Sequence, residues 1–547
     1  MTNPIVTVNV TQSVAPTPNA LQKMGALISQ GGTNLGAYNY GLLTQPADLT
    51  ALLPAPLALT SITWASTYGG LATATASAAH GVTVGEQFTT DIEGATPAGY
   101  NGTVIATASS STAFTYYLPT NPGTSPATVA GTYTARGVAE LQSMVTTFFA
   151  QGAQQAVYAL ELGAGEAAAG VSALGTFITA NPGLFYSYLT PRDWDGVPSF
   201  LTFLAGFEST TAKTYFFVTT TLPNYTLYGG MKCVLALIEA PRYGAWPADT
   251  ISAATWSGGV VTATTTNAHT VKPGQFFKVS GGTPSGYNGT FLAQPGTTGS
   301  TLIYNVASDP GSYVSGASLV ASLYSSAGIP AAEFTNASDF FVTLNYAPSN
   351  TNKVPQLGFS FLFGVTAFPT RGNGALLSTL KAADVNYVGV GNEGGIQQNL
   401  LYWGHVMDGR PFNYWYSVDW IQINAAENLA NAVINGSNDP INPLYYNQQG
   451  IDRLQQNLQA TAQSAITFGL ALGSVVLTSL DSQTFINNFN AGLYLGNVVI
   501  NAIPFTTYTA ANPGDYKIGR YAGFAISYPP LRGFESIIVN INATDFV

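Results

Sequence analysis

The sequence predicts a multidomain chain of mixed α+β and α/β class. A scaffold of strands and flanking helices carries two inserted, sandwich-like all-β repeat domains and a strand extension at each end. Three observations carry that prediction. The chain has 547 residues, more than one ordinary core holds. The stretch "TPAGYNGT" at 96–103 returns as "TPSGYNGT" at 283–290, inside two longer matching segments. Outside those segments, short apolar runs alternate with amphipathic stretches, as helices packed on a sheet require.

Composition bounds the function. Hydrophobic residues make up 46% and charged residues 8%, and the formal net charge is -10. That balance argues against direct nucleic-acid binding, which needs clustered Lys and Arg. Cys233 is the lone cysteine, set in the apolar "MKCVLALI". It excludes an intrachain disulfide framework and reads as a buried thiol. The opening "MTNPIVTVNV" lacks the basic region and apolar run of a secretory signal. No apolar stretch reaches roughly 18 residues, so no membrane insertion is expected. So few surface charges suit a protein that covers itself with other copies.

Residues 1–61 read as an N-terminal extension and the start of the scaffold. "NPIVTVNVTQSV" alternates Ile5, Thr7 and Asn9 with Val6, Val8 and Val10, the period of a strand. Residues 62–134 form the first repeat and 250–321 the second. Trp64 answers Trp256, Gly69-Gly70 answer Gly258-Gly259, His80 answers His269, and Phe88 answers Phe277. Thr, Val, Phe and Tyr runs between Gly, Pro and Asn turns predict a small β-sandwich twice over. Tyr100 and Tyr287 are expected to pack under their turns. No Cys, His or Asp cluster surrounds His80 or His269, which points to structural imidazoles and no metal.

The scaffold resumes over 135–249, where Val138, Leu141, Val145 and Phe148 share one helical face. "QAVYALEL" follows as a strand, "GEAAAGVSALGTFITANPG" as a helix, "LFYSYLTP" as a strand, "SFLTFLAGFEST" as a helix and "AKTYFFVTTTLP" as a strand. "YGGMKCVLALIEAP" reads as a helix stopped by Pro241. The last part is 322–547. "AAEFTNASDFFVTLNYAP" reads as a helix start and a strand, and "QLGFSFLFGVTAFP" as buried. Tyr414, Tyr416, Val418 and Trp420 alternate as a strand, followed by a helix presenting Leu429, Val433 and Ile434. Ile451, Leu454, Leu458 and Ile466 mark a long amphipathic helix. Ile537, Val539 and Ile541 alternate in a closing strand. Two terminal strands without local partners need a neighbour's sheet. Ile5, Val6, Val8, Val10, Ile537, Val539 and Ile541 are therefore the candidate inter-subunit residues.

Catalytic motifs are weak. "QGGTNLGAYNYG" is not a G-x-G-x-x-G following a strand, and "GVGNEGG" at 389–395 lacks the Lys and Ser/Thr of a phosphate loop. Asp193 and Asp195 in "PRDWDG" have the look of paired glycosidase carboxylates, but sit at a Pro-bounded turn where Asp caps backbone. Asp193, Asp195 and His405 are read as structural. No catalytic residue, cofactor or metal is predicted, and the chain is not expected to be an enzyme.

Three segments carry a family resemblance: "GVAELQSMVTTFFAQGAQQAVYALEL", "LYWGHVMDGRPFNYWYSVDWIQINAAENLANAVI" and "GRYAGFAISYPPLRGFESIIVNI". In them the chain resembles the contractile tail sheath proteins of tailed bacteriophages, in particular a divergent branch. The resemblance covers the scaffold and departs from common sheaths in low charge and in "WGHVMDGRPF", where Arg410 comes several residues late. It implies a homopolymer of stacked rings around an inner tail tube, contracting during DNA injection. It also implies baseplate and tail terminator proteins as partners, and a virion location after assembly in the host cytoplasm. The repeats then resemble the variable β-rich domains of the outer sheath wall. The rival readings are another virion protein, tube-like or a receptor-binding fibre, and a glycan-active enzyme.

Overall fold

The computed structural model describes residues 21–65, 71–84, 87–118, 120–152, 155–208, 213–222, 224–239, 249–267, 269, 271, 276–294, 296–306, 308–319, 330, 332–369, 374–391, 398–530, 532–533 and 535.

The main sheet starts with β1 (Gly25–Ser29) and β2 (Tyr40–Leu43). The chain then leaves it for β3 (Leu57–Ala65), β4 (Leu71–Ala76), β5 (Gln87–Glu93), β6 (Gly102–Ala108), β7 (Ala113–Tyr117) and β8 (Thr132–Tyr133). It returns through α1 (Val138–Ala150), β9 (Val157–Glu161), α2 (Ala167–Ala180), β10 (Ser187–Leu189), α3 (Pro198–Glu208), β11 (Tyr215–Thr220) and β12 (Val234–Ile238). It leaves again for β13 (Asp249–Ser257), β14 (Val260–Thr265), β15 (Phe276–Ser280), β16 (Gly289–Leu292), β17 (Thr301–Asn305) and β18 (Ser318–Leu319), and re-enters through α4 (Asn336–Leu344).

The main sheet is ordered β12-β11-β10-β1-β9-β2, parallel except for the β2 edge. Numbered along the chain, its parallel strands lie 2-1-3-4-5, a doubly wound order whose winding reverses between β1 and β10. Alternate side chains feed two cores. Leu27, Ala159, Leu189 and Phe217 meet α1 and α4, whereas Ala26, Ile28, Tyr188 and Phe216 meet α2 and α3. Both excursions therefore leave the sheet in βα connections, where insertions are tolerated.

The first excursion is a closed six-stranded barrel, β3-β4-β7-β6-β5-β8, rather than a sandwich. The second has the matching order β16-β15-β18-β13-β14-β17, and Gln294 N–H, just past β16, donates to the Ile303 carbonyl of β17 at 2.7 Å. The repeated turn makes the same bonds in both. Asn101 clamps Ala95 through N–H to Oδ1 (2.9 Å) and Nδ2 to carbonyl (3.1 Å); Asn288 clamps Gly282 likewise (2.7 and 2.9 Å). The buried Tyr100 and Tyr287 donate to the carbonyls of Thr124 and Gly311. Trp64 and Trp256 donate to the carbonyls of Leu118 and Val306.

Beyond α4, β19 (Phe361–Leu362), α5 (Gly374–Ala382), β20 (Tyr387–Val390) and β21 (Asn399–Tyr402) form a small sheet, β19-β21-β20. Asn386 joins it to the main sheet, donating to Ala236 and accepting from Ile238. Then come α6 (Phe412–Asn438), α7 (Gln448–Thr467), β22 (Val475–Thr478), α8 (Ser482–Asn490), β23 (Val498–Ala502), α9 (Phe505–Ala511), α10 (Pro513–Lys517) and β24 (Phe524–Ser527). The three strands pair as β22-β23-β24, with α7 packed on β22 and β23.

Four further expectations are corrected. "KCVLALI" holds the strand β12, not a helix; its five residues are all buried, and a short apolar run is what a two-face-covered parallel strand needs. Tyr414 to Trp420 belong to α6, not a strand. Pro411 opens the helix, and Phe412 and Tyr416, one turn apart, enter the core beside Tyr346. Asn336–Leu344 is one buried helix with no strand after it. In "QLGFSFLFGVTAFP", Leu357, Leu362 and Val365 are buried, but Phe359, Phe361 and Phe363 alternate onto an exposed face. Val433 and Ile434 are likewise exposed, while Leu429 is half-buried and Ile451 and Leu458 of α7 are buried as the spacing predicts.

Candidate functional site

The winding reverses between β1 and β10, and ligands of doubly wound sheets bind beyond the carboxyl ends of the strands at that switch point. The loop after β1 is Gln30-Gly31-Gly32-Thr33. Gly31 has φ +78°, and a Cβ on Gly32 would stand 2.6 Å from the Gly137 carbonyl, so the turn requires glycine. Glu161, the last residue of β9, fills the turn and is 1% exposed. Its Oε1 accepts from the N–H groups of Gly31 (2.7 Å) and Gly163 (2.8 Å). Its Oε2 accepts from Ser29 Oγ (2.8 Å), Thr33 Oγ1 (2.8 Å) and Thr33 N–H (3.1 Å).

The cation at this end of the sheet is also engaged. Arg192, after β10, donates to both oxygens of Glu239 at 2.5 and 2.6 Å and to the Glu333 carbonyl at 2.6 Å. Its guanidinium lies 4.0 Å over the Phe334 ring. Burial alone would lower its pKa; Glu239 foremost, then Glu140 and Glu333, raise it above the ordinary value. Glu333 in turn accepts from Thr335 and from the N–H and hydroxyl of Thr366. At this end of the sheet Glu161 of β9 is thus held by neutral donors, while Arg192 after β10 is paired with Glu239 after β12.

Comparison with known proteins gives only distant structural likenesses. No family model matches the chain, and no curated protein does. Among solved structures, it is similar to a sheath tail protein from Listeria innocua, at 8% identity over 88% of each chain with a TM-score of 0.35.

The carboxylates singled out in the sequence bind different partners. Asp193 meets Arg136 at 2.7 Å. Asp195 accepts from Thr220, Asn224, Tyr228 and both donors of Thr221. Burial raises its pKa, and the bonds from Thr221, Asn224, Thr220 and Tyr228 oppose that rise. His80 is buried, stacked on Phe88, with Nε2 2.7 Å from the Ser110 carbonyl and Nδ1 accepting from Val82 N–H. His269 and Cys233 are buried. His405 lies between Asp384 and Glu535. Arg410 pairs with Asp408 and lies over Tyr414 and Trp415. Among the described residues, no group of three or more His, Cys, Asp or Glu is placed to hold a metal ion, and no helix is long and apolar enough to cross a membrane. Part of 389–395 and all seven candidates, Ile5, Val6, Val8, Val10, Ile537, Val539 and Ile541, lie outside the described residues.

Sequence reasoning passed over Glu161 and Arg192. The signal was present: charged residues closing buried strands in a chain with 8% charge, and a Gly pair following "GALIS", which is the strand β1.

Proposed function

We propose that this chain is the structural subunit of a contractile phage tail sheath. Copies polymerise in stacked rings around an inner tail tube, between baseplate and tail terminator proteins, and the lattice contracts during DNA injection. It assembles in the host cytoplasm, acts in the virion, and neither binds nucleic acid directly nor enters a membrane. The observation that carries an assembling function is the apolar surface of the C-terminal region. Ile441 is 93% exposed, Leu495 83% and Ile518 71%. Helix α8 buries no residue, leaving Ile486 and Phe489 open to solvent. Burial against other copies would remove these side chains from water. The three sequence segments that resemble sheath proteins narrow assembly to a sheath. A Glu161 carboxylate and an Arg192–Glu239 pair already bonded within the chain suit a protein that works through packing, without nucleotide. Contraction then draws on alternative subunit packings that differ by a few kcal/mol per subunit.

Negative-stain microscopy of the purified full-length chain tests this. Long tubes of uniform width are expected; discrete particles at all concentrations and salts would overturn it.

A further inference from the structure

We propose that the loop after β1 is an anion cradle whose resident anion is the chain's own Glu161 carboxylate, and that removing this carboxylate opens a site for a small free carboxylate. The argument is geometric. Three backbone N–H groups, of Gly31, Thr33 and Gly163, converge on one point from two different loops. Two hydroxyls, of Ser29 and Thr33, converge on the same point. Successive N–H groups wrapped around a concavity favour negative charge wherever that charge comes from. The concavity lies at the carboxyl ends of β1 and β9, next to the switch point between β1 and β10, where free anionic ligands bind in other proteins of this topology. Donors on this scale are not explained by holding one side chain still. Ser29 Oγ, while donating to Glu161, also accepts from Gly32 N–H at 3.0 Å, so the loop is fixed from within. The glycines are held too: Gly31 by its positive φ and Gly32 by the Gly137 carbonyl. The cradle therefore keeps its shape when the side chain is shortened, and its five donors are left unpaired in a buried space, which is costly.

The test is chemical rescue of the full-length chain. Thermal midpoints of wild type, Glu161→Ala and Glu161→Gln are measured in sodium formate and in sodium chloride of equal ionic strength. Both variants are expected to melt below wild type in chloride. Formate should restore at least half of the loss in Glu161→Ala, whose cradle is vacated. It should do little for Glu161→Gln, whose amide still fills the space, and nothing for wild type. Should Glu161→Ala fail to fold in chloride, refolding in formate is the readout, and recovery there alone supports the cradle. Equal melting of Glu161→Ala and wild type, no formate-specific recovery, or equal recovery of both variants overturns it.

Discussion

His405 and Glu535 bind across the molecule: Nε2 of the imidazole lies 3.2 Å from Glu535 Oε1, while Nδ1 lies 3.0 Å from Asp384 Oδ1. The contact ends a strap that starts after β24. Leu472 N–H donates to the Pro529 carbonyl, Arg532 lies over the Tyr414 ring, and a Cβ on Gly533 would collide with Gln356. Pro529, Arg532 and Glu535 thus reach from the C-terminal sheet to α6 and to the β20–β21 corner.

His405→Ala should loosen this strap while the domains stay folded. His405 is 7% exposed, but Glu535 and Asp384 are substantially open to solvent, so the ion-pair contribution is screened and the total cost is about 1 kcal/mol. Hydrogen exchange checks it: the amide of Leu472 should exchange faster in the variant, with the main-sheet amides unchanged.

Stability should fall as pH rises through the neutral range, and Asp339 is the main reason. It lies in α4 with no exposure and, among the described residues, without a hydrogen-bond partner, near the unbonded Tyr346 hydroxyl. Burial pushes its carboxyl up to about 8 from an ordinary 3.8. Asp419, accepting from Tyr186 and Tyr215, is pushed up to about 6 by burial. A carboxyl whose folded pKa exceeds its unfolded value binds more protons when folded. Its contribution is fully present below the unfolded value and is lost as pH rises to the folded one. The window for Asp339 is therefore about pH 4 to 8. Asp339→Asn should flatten the slope and raise stability above pH 7; melting in a pH series reads both.

Asp195→Ala should be among the most damaging single changes. It removes the acceptor of Thr220, Thr221, Asn224 and Tyr228 in a region that is mostly buried. Several unpaired donors at roughly 1–3 kcal/mol each predict a loss of 3 kcal/mol or more. Asp193→Asn, at a more exposed ion pair, should cost about 1 kcal/mol or less. Denaturant melts rank the two. A hydrolase screen on glycans and peptides should show no turnover in either or in wild type, and a reproducible turnover lost in a folded Asp193→Asn would return that residue to catalysis.

How much was legible in the sequence follows from range. Where one element decides its own burial, the pattern was readable: α1 by Leu141, Val145 and Phe148, α7 by Ile451 and Leu458, the twin turns by the buried Tyr100 and Tyr287. Where tertiary partners decide, it was not. "VLALI" fits either helix or strand until β11 lies beside it. The Tyr-Trp-Tyr alternation at 414–416 looks like a pleat because aromatic residues ring the start of α6 on several faces. Glu161 meets Ser29, Gly31 and Thr33 across roughly 130 positions of chain, a pairing that only the sheet order creates.

Excising residues 250–321 behind a short Gly/Ser bridge should leave the chain folded and competent to assemble. The second β-unit has its own core, with Val261, Phe277, Tyr287 and Tyr304 buried together, and it stands in the β12–α4 connection. Sedimentation of the excised protein checks it. An insoluble product would mean the unit belongs to the scaffold core.

Deleting residues 534–547 should leave a folded monomer that no longer forms tubes. Ile537, Val539 and Ile541 alternate at one end of the chain as Val6, Val8 and Val10 do at the other. Under the proposed function, both segments add strands to neighbouring subunits. Each backbone hydrogen bond of an added strand is worth about 1 kcal/mol net. Each covered apolar side chain adds a similar or larger amount. Ordering the segment costs roughly 1–2 kcal/mol per residue, so the surplus of a single link is small and the lattice holds by repeating it. Proline at Val539 should act nearly as strongly as the deletion, because it removes a donor from the middle of the strand. Sedimentation of both variants, with circular dichroism to establish folding, measures the effect. Tubes of normal length from the truncated chain would show that the C-terminal strand is not the link, and the apolar face around α8 would then have to hold the subunits together alone.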